Sequence, residues 1–149
     1  MNKNMLDLTL GEIRHCAMVM FESAMYIEKE LPNVVMEDAL KEQTKDICST
    51  LVGTKHDVIS DLFEIDELVA SNAEDGVINS RLDRLMDWMR EDFSKIHGLV
   101  QKLDAASKID QAVGLAFLLV MESATNILNA FNQACDSIDA FKNGTEHVV

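Results

Sequence analysis

Ala112-Val113-Gly114-Leu115-Ala116-Phe117-Leu118-Leu119-Val120-Met121 is a run of ten residues without one polar side chain. It is too short to span a bilayer, which takes about 20 apolar residues. It is also too apolar all round for a helix with one side in water. Such a segment calls for cover by protein on more than one side, and the surrounding sequence is patterned to supply it. Downstream the apolar positions continue as Val113, Phe117, Val120, Ala124, Ile127, Phe131, Ala134, Ile138 and Phe141. Steps of three and four are the seam of a helix packed along its neighbours. This fourth helix is expected to open at Ser107-Lys108-Ile109-Asp110, a loose capping box.

Three more segments carry the same period. Helix 1 is expected to open on Thr9-Leu10-Gly11-Glu12, where Thr9 and Glu12 can each satisfy a free backbone donor. Its seam is Leu10, Ile13, Ala17, Met20, Ala24, Ile27 and Leu31, and Pro32 ends it. Helix 2 spans about Met36 to Ser71, with Leu40, Ile47, Leu51, Val58, Leu62, Ile65 and Val69 inward. Gly53-Thr54 interrupts it, so a kink or a short break is expected there. The turn Ser71-Asn72-Ala73-Glu74-Asp75-Gly76 follows. Helix 3 starts near Asn79-Ser80 and buries Leu82, Leu85, Met89, Phe93, Ile96, Val100 and Leu103. Its outward set is Arg81, Asp83, Arg84, Asp87, Arg90, Glu91, Asp92 and Lys95.

Proline occurs once and Gly six times in 149 residues, and no β-hairpin signal is present. Four long amphipathic segments joined by short turns describe an all-α, antiparallel, up-down-up-down four-helix bundle. The expectation is a single domain over residues 1–149, with a frayed tail from about Asn143. Phe21-Glu22-Ser23-Ala24 is echoed by Met121-Glu122-Ser123-Ala124. A duplicated hairpin or a shared packing problem would each account for it.

The formal charge of −13 lacks the basic footprint that phosphate binding needs, which argues against nucleic acid and against an anionic membrane surface. Cys16, Cys48 and Cys135 form no CxxC pair, an odd count that fits poorly with a disulfide framework. The first residues carry no apolar signal region. A reduced, cytoplasmic protein is expected.

Off the seam, helices 1 and 4 break the rule that outward positions are polar. Helix 1 places Met18, Val19, Met25 and Tyr26 there, and helix 4 places Leu115, Leu118, Leu119 and Met121. First and last helices are neighbours in such a bundle, so the two sets should merge into one apolar patch. A patch of that kind marks a binding surface, with a homodimer as the default and a helical partner as the alternative. Glu22 and Glu122 would stand at its rim. From Asp57 to Asp75 seven acids (Asp57, Asp61, Glu64, Asp66, Glu67, Glu74 and Asp75) occur with no Lys or Arg, a run that would steer a basic partner.

Chemistry-bearing candidates are sparse. Glu12-Ile13-Arg14-His15 is an ExxH on a helix, the half-motif of di-metal carboxylate bundles, and its second copy is missing. His56 with Asp61 would add a histidine and a carboxylate, so Glu12, His15, His56 and Asp61 make a metal-dependent enzyme the rival reading. His97, beside Lys95 and Lys102, is a candidate phosphoryl acceptor, though the small-residue run expected after it is absent. Arg90 and His97 have the spacing of a ribonuclease motif of helical toxin-type domains, with Glu91 where a neutral polar residue belongs. No phosphate loop or catalytic triad pattern occurs, and no family's motif residues can be placed on the chain. The expected function is a non-enzymatic interaction module without a cofactor: an adaptor, regulator or inhibitor.

Overall fold

The computed structural model describes residues 3–109 and 114–146, which form four long α-helices and no strand. They are α1 (Lys3–Glu30), α2 (Asp38–Ala70), α3 (Asp75–Ile109) and α4 (Leu115–Glu146), with a one-turn 3-10 helix at Leu31–Asn33. The fold is a four-helix bundle. Each helix packs on the two nearest it in the ring, α1 against α2 and α4, and α3 against α2 and α4. Between α1 and α4, and between α2 and α3, the contacts pair rising residue numbers on one helix with falling numbers on the other. Glu12 accepts a hydrogen bond from Gln133, the Met5 methyl lies where a Cβ on Gly144 would sit, and Arg14 pairs with Asp66. Arg81 pairs with Glu64 at 2.8 Å, Lys102 donates to Gln43 at 2.9 Å, and Lys142 pairs with Asp83.

The seams of α1 and α4 are buried as their spacing requires. Leu10, Ile13, Ala17, Met20, Ala24, Ile27 and Leu31 face Phe117, Val120, Ala124, Ile127, Phe131, Ala134, Ile138 and Phe141 across one core. Small residues at Ala17, Ala24, Ala124 and Ala134 let the two backbones come close. Val113 lies outside the described residues. In α2 and α3 the inward stripe drifts by a residue. Cys48 and Thr44 are buried while Ile47 is only half-buried, and Thr44 settles its hydroxyl on Leu40 O at 2.7 Å. Leu99 and Asp92 take the places expected of Val100 and Phe93. An ideal helix drifts about 20° per heptad against a 3.5 repeat, so over 33 or 35 residues a strict seam rotates out of the core.

Helix ends depart most from expectation. α1 begins at Lys3, one and a half turns before the Thr9–Glu12 box, and Thr9 is interior, its hydroxyl donating to Met5 O at 2.9 Å. The Ser107-Lys108-Ile109 segment closes α3 instead of opening α4, with Ser107 Oγ donating back to Asp104 O at 2.7 Å. Asp110, Ala112 and Val113 lie outside the described residues. α3 starts at Asp75, four residues before Asn79. α4 extends to Glu146, and Phe141 is fully buried near its end.

The α2–α3 corner is a Schellman cap. Asn72 takes a left-handed φ of 57°, Ala73 N–H donates to Leu68 O at 2.9 Å, and Asn72 N–H donates to Val69 O at 3.2 Å. Asn tolerates this conformation better than other residues with a Cβ.

α2 continues through Gly53 without a break. Packing on both neighbours outweighs the weak local propensity of one glycine. A Cβ at Gly53 would meet nothing within 4 Å. Gly53→Ala should therefore raise stability by about 1 kcal/mol, read as a melting temperature about 2–4 °C higher.

Candidate interaction surface

The eight apolar side chains singled out on α1 and α4 divide by face. Tyr26 and Leu119 share a shallow α1–α4 groove with Glu22, Ser23, Glu122, Ser123 and Asn126. The two Glu-Ser-Ala echoes thus lie side by side, with Ala24 and Ala124 fully buried behind them. Val19 and Met121 are half-buried against the core. Leu115 and Leu118 are exposed on the first turns of α4, at 72% and 44%, so the apolar run that opens α4 is not covered all round. Phe117 and Val120 are its buried residues, and Ala116 and Met121 pack half-buried against the core.

Met18 points the other way, toward α2, and Met25 follows it two turns later on the same helix face. Met18 borders a groove of about 330 Å³ whose floor is Ala17, Phe21 and Leu62 and whose α2 bank carries Ile59 and Phe63. Phe63 is 65% exposed and Met18 60%, unusual values for side chains of this size on a folded surface. Four charges frame the groove. Arg14 on α1 pairs with Asp66 on α2 at one end, and Glu22 on α1 and Lys55 on α2 stand at the other. Ile59 and Phe63 escaped the sequence reading. Their signal is two large apolar residues four apart and off the α2 seam, masked by the acids around them.

The acidic run is not one free face. Asp66 is held by Arg14 and Glu64 by Arg81, both across helix boundaries. Asp57 and Asp61 line a separate α2–α3 groove with Arg84 and Trp88.

The chemistry-bearing candidates stay apart. Glu12 is bound by Gln133, His15 is exposed beside Cys16 and Asn129, and His56 is exposed on α2. Among the described residues no three His, Cys, Asp or Glu side chains are placed to hold a metal ion. His97 is exposed and stacked on Phe93, ring centroids 5.9 Å apart. Burial, reinforced by Glu12, pushes the Cys16 thiol up to about 11, and burial with Glu28 pushes Cys48 up to about 12. Cys135 is raised as well, chiefly by burial, with Arg90 opposing. At neutral pH these sulfurs are thiols, poor nucleophiles that pack as small apolar groups.

One buried charge was not anticipated. Asp92, read from the sequence as outward, is only 6% exposed, and its Oδ2 has no hydrogen-bond partner. Lys95 approaches Oδ1 at 4.0 Å, and the residue lines a cavity of about 210 Å³ between α2 and α3.

Among the described residues no helix is long and apolar enough to cross a membrane. No protein-family model, no curated protein and no solved structure matches the chain.

Proposed function

We propose that this chain is a protein-interaction module, an adaptor, regulator or inhibitor that works by binding and not by chemistry. The observation that carries this reading is the α1–α2 groove, where Met18, Ile59 and Phe63 hold large apolar side chains in water around a Phe21–Leu62 floor. Burying one such side chain is worth about 1.5–3 kcal/mol, so a chain that leaves several outside stabilises a complex more than itself. The helical banks suit a helical ligand surface, whose apolar residues recur every three or four positions. The exposed Leu115 and Leu118 extend the apolar display to α4.

The test is photo-crosslinking in the cell that makes the protein. With p-benzoylphenylalanine in place of Phe63, irradiation should yield a discrete protein adduct. The same group in place of Glu42, exposed elsewhere on α2, should yield none. Absence of any protein adduct at position 63 overturns the reading.

A further inference from the structure

We infer that the occupant of the α1–α2 groove is the same groove of a second copy of this chain, forming a twofold dimer. This rests on the interaction-module reading and names its partner.

The charges around the groove supply the reason. They form a checkerboard: Arg14 and Glu22 along the α1 bank, Asp66 and Lys55 along the α2 bank. The bank positions run in opposite order, so Arg14 stands across from Asp66 at one end, and Glu22 and Lys55 share the other. A face-to-face twofold axis lies in the plane of the interface. If it runs along the groove, it exchanges the banks, and Arg14 meets the copy's Asp66 while Glu22 meets the copy's Lys55. If it runs across the groove, it exchanges the ends, and Arg14 meets the copy's Glu22 while Lys55 meets the copy's Asp66. Either operation sets every charge on its opposite. An isologous interface must be complementary to itself, and this pattern is. Among the described residues neither Glu22 nor Lys55 has an ion-pair partner, which leaves them available across such a contact.

The four corners sum to zero, so the groove itself does not select a basic ligand. Two of the acids nearest it and α3, Asp66 and Glu64, are already neutralised by arginines. The net charge of −13 on each copy opposes association, but charges more than about 8 Å apart across solvent are largely screened at physiological salt. The corner pairs and the Met18–Phe63 contacts act at shorter range. The groove from Arg14 to Glu22 is only about 12 Å long, but the 28 residues of α1 make the whole α1–α2 face on the order of 40 Å by roughly 20 Å. A contact that continues along this face has up to about 800 Å² per partner available, the size of a standard interface.

Sedimentation equilibrium on the purified full chain tests this, from low micromolar to several hundred micromolar. The expected mass at the upper end is twice that of the chain. Phe63→Glu should raise the dissociation constant by about 30-fold or more, because it places a charge at the centre of the apolar contact. Lys55→Glu should weaken the dimer by about tenfold, since it turns attractions at two symmetric corners into repulsions. The quadruple reversal Arg14→Asp, Glu22→Lys, Lys55→Glu, Asp66→Arg inverts all corners and should restore the dimer to within about threefold of the native constant. All of these side chains are at the surface, and matched circular dichroism melts confirm that each variant is folded. A single-chain mass at every concentration overturns the inference. So does a dimer that survives Phe63→Glu but is lost in Leu118→Glu. A crosslink from position 63 to a different protein, with a monomer in the centrifuge, leaves the module reading standing and removes the second copy. The absence of any crosslink removes both.

Discussion

Phe131→Ala should lower the unfolding free energy by about 3–5 kcal/mol, the cost of emptying a phenyl-sized space in a core that cannot fully collapse. Phe131 is completely buried on α4 and sits beside the Trp88 ring of α3, centroids 6.0 Å apart and planes tilted by 45°. The substitution therefore removes a packing contact between two helices as well as apolar burial. Native domains of ordinary size are stable by only about 5–15 kcal/mol, so the loss is about a fifth of the total or more. Urea denaturation reads it directly. The midpoint should fall sharply while the slope stays near that of the native chain. A loss under about 1 kcal/mol would mean that α3 and α4 do not share this core.

The second large effect has the opposite sign. Asp92→Leu should raise stability at pH 7 by about 1–3 kcal/mol, because it replaces a buried carboxylate with one unpartnered oxygen by a side chain that needs none. The adjoining cavity, floored by Ile47, Leu51 and Ile96, has room for the larger residue. Burial pushes the Asp92 carboxyl above its ordinary value of 3.8, Glu91 adds to this, and Lys95 opposes it. The folded-state pKa is thus the higher one. The group's contribution to stability is fully present below the ordinary carboxyl value and is lost as pH rises through the folded value. Thermal melts of the native chain and of Asp92→Asn, compared side by side from about pH 4 to pH 7, read this. The variant's advantage should be greatest at neutral pH and shrink on acidification. An advantage that does not change with pH would show that Asp92 is solvated.

Why a sequence places an aspartate there follows from how a seam is read. After Leu82, Leu85 and Met89 a step of three leads to Asp92 and a step of four to Phe93, and hydrophobicity favours Phe93. The bundle puts both near the boundary, Asp92 inward and Phe93 half-buried against His97. The choice depends on where α2 lies beside α3, which no local pattern contains. The capping boxes mislead for a similar reason. Thr9 and Glu12 can cap only if the chain before them leaves the helix. Instead the preceding turn packs, with Leu6 buried and Met5 against Gly144. Tertiary burial outweighs a cap worth about 1 kcal/mol.

What the amino-acid order determined by itself is the kind of molecule. The three-and-four spacing of Leu10 to Leu31 and of Phe117 to Phe141 dictates long amphipathic helices, since only a helical period brings those side chains to one face. Helices with one greasy side must then be packed together. Tertiary structure alone decided which leftover apolar residues share a surface. Met18, Leu115, Leu118 and Phe63 are equally off-seam in one dimension. Yet Met18 joins Phe63 across the α1–α2 groove and not the leucines of α4, because α1 turns that flank toward α2. A residue's distance from its own seam is a property of one helix. Its neighbours across a groove depend on the angle at which two helices meet, and that angle is set by all the core side chains together.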